Sequence, residues 1–214
     1  MPPRLLLCPL LLWSLASGAL AATERAPRSC TQELGQKPAQ ALATTCRALS
    51  PATHPPCNAA NSCALMQDEI ARSCALFGDD EAAKQPGCGP LPSSAEAAAA
   101  VVARYYRALD ARDYGTAWQQ WGSDGQPGNS YERFRQGYAR TRGVQVTLGQ
   151  PGPVEGAAGS SYVSVPVTVR ARLADGTRQT FSGSYQVRRV NDVDGASAEQ
   201  RRWHLDRAKL RQQR

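Results

Sequence analysis

Six cysteines, Cys30, Cys46, Cys57, Cys63, Cys74 and Cys88, crowd one stretch of this 214-residue chain. An even set of this kind can close disulfides, ligate a metal as thiolates, or cycle a redox pair. No Cys-x-x-Cys occurs, nor the Cys-x-x-Cys-His of haem attachment, so a metal site would rest on a loose set of His54, Cys57 and Cys63. The expectation is three disulfides that use all six cysteines, with no metal and no other cofactor. Acid–base chemistry has few candidates, because the chain has only two histidines. His54, between Thr53 and Pro55, reads as a loop residue. His204 and Asp206 would share one face of a final strand, opposite Trp203 and Leu205. If the tryptophan face is the interior, that pair is a surface contact and not a catalytic dyad. Glu155 and Asp124 fall in loops with no base to pair with, so no catalytic residue is assigned.

The redox chemistry depends on the compartment. Arg4 precedes an apolar run from Leu5 to Leu20, which ends in Ala19-Leu20-Ala21. Small residues at those positions suit a signal peptidase cutting after Ala21 or Ala22, so residues 1–22 are expected to be a signal peptide. The run is short for a membrane anchor, and Cys8 leaves with it. An exported product, periplasmic or secreted and not membrane-spanning after cleavage, follows.

Charge is uneven. From Thr23 to Pro92 there are six Lys or Arg against seven Asp or Glu; from Ser93 onward there are 18 against 11. An anionic partner is one explanation. The arginines are interspersed with carboxylates, not gathered in a stripe, and no nucleic-acid-binding module is recognisable, so nucleic acid is not expected as a partner.

Helical patterns must position the cysteines. Ser29 with Gln32 signals a helix start, and Pro38 restarts the helix, since proline fits a first turn but not an interior. Ala39, Leu42, Cys46 and Leu49 then share one face. Ser50 to Pro56 carries three prolines and ends it. A second helix is expected from Asn61 or Ser62, with Cys63, Met66, Ile70, Cys74 and Phe77 on one face and Gly78 closing it. This predicts a disulfide-stapled helical hairpin over 23–84. Six cysteines allow 15 pairings; an antiparallel hairpin makes Cys46–Cys63 the best single guess. Cys63 and Cys74 lie three turns apart on one helix and cannot pair.

Residues 85–92, rich in Gly and Pro, read as a linker. Over 93–214, Ser93 with Glu96 makes a capping box for a helix to about Asp110, whose core face is Val101, Val102, Tyr105, Tyr106 and Leu109. Asp113 caps a second helix with Ala117, Trp118 and Trp121. Ser130 caps a third with Tyr131, Phe134 and Tyr138, stopping at Arg142-Gly143. The period then changes from helical to alternating. Val144, Val146 and Leu148 make one strand, and Val163, Val165, Val167 and Val169 line another. Asp175-Gly176 is a hairpin turn, with Phe181, Tyr185 and Val187 on the returning strand. The fold class is α+β.

The run from Val102 to Trp118, VARYYRALDARDYGTAW, resembles the opening of the nuclear transport factor two-like family, and Arg202-Trp203-His204-Leu205 resembles its final strand. The resemblance implies three helices wrapped by a curved antiparallel sheet into a cone with an open mouth. It also implies that the domain could be a ligand-binding module, a small isomerase or dehydratase with an Asp or His in the cone, or a scaffold like the accessory domains of cell-wall transpeptidases. Homodimerisation through the open sheet face is a further implication. The expected function is non-catalytic: an exported envelope protein binding a small apolar or sugar-like ligand, or an envelope partner. The expected pocket is Tyr106, Trp118, Trp121, Phe134, Tyr138, Phe181 and Tyr185, where aromatic faces can stack on a ring. Arg170, Arg172, Arg188 and Arg189 could receive a carboxylate or phosphate, although three of them fall on polar-face positions of a solvated sheet.

Overall fold

The computed structural model describes residues 25–123, 126 and 130–213, so the expected signal peptide and Asp124 lie outside the described residues. The cysteine-rich part is built from α1 (Cys30–Leu34), α2 (Gln36–Leu49), α3 (Cys63–Ala75) and the short α4 (Gly78–Ala82). The Ser29–Gln32 capping box is present, and Pro38 sits in the first turn of α2, where its missing N–H costs nothing. Ser62 caps α3 by accepting from the Leu65 amide. Gly78 has φ +70°, and the helical turns that follow α3 stop there.

All six cysteines are in disulfides, but not with the expected partner. The bonds are Cys30–Cys63, Cys46–Cys57 and Cys74–Cys88. Cys46–Cys63 fails because α1, not the end of α2, docks on the start of α3. The Cys30 amide donates to the Asn61 carbonyl (2.6 Å), and Glu33 accepts from the Cys63 amide (3.0 Å). Cys46 instead reaches into the proline loop, where Arg47 also donates to the Cys57 carbonyl at 2.7 Å. The conceivable ligand set of His54, Cys57 and Cys63 is therefore dissolved, with His54 exposed and both cysteines bonded elsewhere. Cys88, in the segment read as a linker, ties that segment to the end of α3.

The rest comprises α5 (Ala95–Ala111), α6 (Tyr114–Gln119), α7 (Tyr131–Gly137), β1 (Thr141–Leu148), β2 (Glu155–Ala157), β3 (Ser160–Leu173), β4 (Arg178–Val190) and β5 (His204–Gln212). The sheet is antiparallel in the order β1-β3-β4-β5, and β2 also pairs with β3. The inner face carries Val163, Val165, Val167, Val169, Tyr185, Val187 and Leu205. All are buried against Val101, Val102, Tyr105 and Leu109 of α5.

Four details depart from expectation. Ser94, not Ser93, caps α5; the Ser93 amide and hydroxyl both bind the Asp79 carboxylate instead. The third helix stops at Gly137 because Thr141 to Gly143 is drawn into pairing with β3. Trp121 leaves α6 and bridges to Leu205. Glu155 lies on the exposed strand β2, which no alternation announced.

The β4–β5 ladder contains a bulge. Val187 pairs with Leu205 and Gln186 with Arg207, so Asp206 is the extra residue. Strict alternation breaks there, and beyond it Ala208 and Leu210 oppose Tyr185 and Gly183.

The cysteine module and the second domain are packed together, with α3 antiparallel to α5. At one end the Ser62 hydroxyl donates to Asp113, and at the other Ser93 binds Asp79. Arg28 adds an ion pair to Asp110, and its amide donates to the Ala111 carbonyl at 2.8 Å.

Candidate functional site

Between these ends lies a buried polar hub. Asp68 on α3 is fully buried. Its Oδ1 accepts from Arg202 Nη2 (2.8 Å) and Gln120 Nε2 (3.1 Å) and lies 3.3 Å from Arg104 Nε; its Oδ2 accepts from Arg72 Nη2 (2.8 Å). Arg104 Nε also donates to Gln120 Oε1 at 2.9 Å. Burial alone would raise the Asp68 pKa, but Arg202 and Arg104 overcome it and hold the carboxyl down at about 2. Arg104 bears the opposite cost. Fully enclosed and beside other guanidiniums, it is lowered to about 10 and remains charged at neutral pH.

From this hub the network climbs to an open cleft of about 560 Å3. Arg202 Nη1 donates to both carboxylate oxygens of Glu199 (3.0 and 2.8 Å). Glu199 Oε1 lies 2.9 Å from His204 Nε2, and His204 Nδ1 lies 3.1 Å from the Arg202 carbonyl oxygen. Both ring nitrogens thus lie within hydrogen-bonding distance of oxygens of the protein itself. The His204 hydrogen bond, with Arg202 behind it, lowers Glu199 to about 2 against the opposing effect of burial. His204 therefore pairs with Glu199 and not with Asp206, though Asp206 lines the same cleft.

Three strand and loop segments position the cleft. The end of α6 supplies Trp118, and the stretch after it supplies Trp121. The end of β4 supplies Arg188 and Arg189, and the approach to β5 supplies Glu199, Arg202 and His204. The cysteine module adds Arg72. Among the described residues, Arg72, Arg188, Arg189, Arg202 and His204 thus share the lining with two acids, Glu199 and Asp206. Arg189 lies 5.9 Å over the Trp203 ring and donates to the Arg201 carbonyl at 2.9 Å, and Arg188 donates to Ser160 at 3.2 Å. Arg170 and Arg172 are exposed on β3, away from these residues.

The expected aromatic pocket residues occupy two situations. Tyr106 and Tyr185 join by a hydroxyl–hydroxyl hydrogen bond of 2.7 Å, and Tyr105 and Tyr138 by another of 2.7 Å. Phe134 packs between Trp118 and Tyr138, with ring centroids 5.2 Å away on each side. Burial raises Tyr106 above the ordinary phenol range, and Tyr185 well above it. These rings pack on one another beneath α5, with half-buried Phe181 at their margin. Trp118 and Trp121 alone of the seven also line the cleft. Arg72, Glu199 and Arg202 are the cleft residues that sequence reasoning missed.

With α5 laid across the inner face of a bulged antiparallel sheet, and α6 and α7 closing one end, the architecture is decided. The second domain has the cone-shaped nuclear transport factor two-like fold. The chain is similar to a candidate scytalone dehydratase from Novosphingobium aromaticivorans, with 16% identity over 56% of this chain and 83% of that one, TM-score 0.41. It is also similar to a Kribbella flavida protein (14% identity, 56% and 93% covered, TM-score 0.43). A third likeness is to a candidate dehydratase of the NTF2-like family from Streptomyces avermitilis (14%, 52% and 90%, TM-score 0.36). No protein-family profile matches the chain, and no curated protein matches it. No helix among the described residues is long and apolar enough to cross a membrane, and three disulfides fit a non-reducing compartment.

Proposed function

We propose that this is an exported protein of the bacterial periplasm that binds an anionic, ring-bearing small molecule in the cleft beside β5. One observation carries the reading: an indole wall of Trp118 and Trp121 meets four arginines and His204, against two acids among the described residues. Guanidiniums receive a carboxylate or phosphate in fork geometry, and an indole face stacks on a sugar or aromatic ring. The volume falls within the usual range for small-ligand sites. Binding is favoured over turnover because both His204 nitrogens are engaged within the protein, by Glu199 and by the Arg202 carbonyl, and neither is left for a bound molecule. A free acidic sugar and the exposed acidic sugar of an envelope polymer would be held by the same groups.

The test is saturation-transfer NMR with glucuronate, benzoate and glucose as probes, on protein purified without reduction. Glucuronate and benzoate should give transfer and glucose little. Trp118→Ala should remove most of the signal, and Arg188→Gln should reduce it for the anions. Equal response to glucose and glucuronate, or no response to either anion, would sink the reading.

A further inference from the structure

A second concavity, of about 380 Å3, lies between the two modules on the other side of the Asp68 hub. It is bounded by two helical stripes. On α3 the lining residues are Gln67, Ile70, Ala71, Cys74 and Ala75; on α5 they are Ala97, Ala100, Val101, Arg104 and Arg107. Both stripes follow the spacing that keeps side chains on one face of a helix. Because α3 and α5 are antiparallel, the polar ends coincide, Gln67 with Arg104 and Arg107, and so do the apolar ends, Ala75 with Ala97. Pro90 and Pro92, held in place by the Cys74–Cys88 bond, cover the apolar end, and Trp203 lines the groove as well. The groove therefore grades from hydrocarbon to guanidinium over the ten residues from Ala97 to Arg107, about 15 Å of helix.

Two observations point to an occupant. Arg104 and Arg202 are already shared with Asp68, but Arg107 makes no hydrogen bond or ion pair among the described residues; Glu33 acts on it only through space. Trp203, 4% exposed, adds an indole surface to the apolar wall. We infer that this groove binds a free single-chain fatty carboxylate, with its head on Arg107 and its alkyl chain along Val101, Ala100 and Ile70 towards Pro90. An apolar wall lowers the free energy of the chain, and one charge-assisted contact fixes its direction. This site shares Arg202 with the cleft beside β5 but none of Trp118, Arg188, Arg189 or His204, and the inference does not depend on that cleft binding anything.

The experiment is calorimetric titration of the oxidised mature protein with sodium dodecanoate below its micelle threshold, with dodecanol as the uncharged control. One-to-one binding of dodecanoate is expected. Arg107→Gln should weaken it about tenfold or more while leaving dodecanol unchanged. Ala100→Phe, which fills the groove midway, should abolish both, and circular dichroism of each variant would show whether it keeps the native fold. Trp118→Ala, in the other cleft, should change nothing. The inference is overturned if dodecanoate does not bind, if Arg107→Gln binds it as the native protein does, or if Trp118→Ala abolishes binding. Association with phosphatidylglycerol vesicles in the absence of dodecanoate binding would also overturn it, since that would make the basic surface a membrane contact.

Discussion

Removing the carboxylate of Asp68 would leave Arg104 and Arg202, each 7% exposed, buried beside each other without their shared counter-charge. Breaking a buried ion pair from one side typically costs about 3–5 kcal/mol, so Asp68→Asn should lower the urea midpoint by that order. An unchanged midpoint would mean that water enters the hub. The same carboxylate sets an acid response. Its folded pKa, about 2, lies below the 3.8 of an aspartate in water, so its contribution is complete above 3.8 and is lost as pH falls through 2. The contribution is on the order of 2 kcal/mol. Glu199, depressed from 4.5 to about 2, gives way in the same direction. Stability measured between pH 5 and 2 should therefore fall steeply in the native protein and more shallowly in Asp68→Asn. None of this was legible in the sequence. Arg104 sits in a run read for its apolar and aromatic neighbours, and Arg202 is separated from Asp68 by 134 residues. Glu199 lies between elements, where no periodicity marks a side chain as facing a site. The aromatic residues were legible as a cluster because they recur at helical and strand spacing, but spacing does not say which rings face solvent.

At the scale of elements, the alternating valines of β3 and the capping signals at Ser29, Ser62, Asp113 and Ser130 were readable because each depends on its immediate neighbours. The misreadings have tertiary causes. Ser94→Ala should cost about 1 kcal/mol through loss of the α5 cap, whereas Ser93→Ala should act through its contact with Asp79; thermal melts of the two variants would separate these effects. The bulge at Asp206 could not be read from alternation, nor could a close approach of backbones three residues along the same ladder. A Cβ at Gly183 would lie 1.9 Å from the Lys209 carbonyl oxygen, so Gly183→Ala should part β4 from β5. Loss of amide protection along β5 by hydrogen exchange, greater than along β1, would show it. Cysteine count revealed the staples but not their pairing, which α1 decides by docking on α3. Peptide mapping without reduction should recover Cys30–Cys63, Cys46–Cys57 and Cys74–Cys88 and no peptide joining Cys46 to Cys63.

Viewed whole, the chain reads as two modules in sequence, yet α3 and α5 share buried charge and the groove, and Arg72 of α3 lines the cleft. Calorimetry of the oxidised protein should therefore show one cooperative transition, with equal calorimetric and van't Hoff enthalpies. Two separate transitions would contradict the shared hub. The hub also has a temporal meaning. Arg202 follows Asp68 by 134 residues. During synthesis the helices of the first module can form while this carboxylate still waits for its distant counter-charge. A variant truncated before Arg202 should keep its three disulfides yet lose the seam between α3 and α5, and limited proteolysis of the oxidised protein would show it as cutting that the native protein resists.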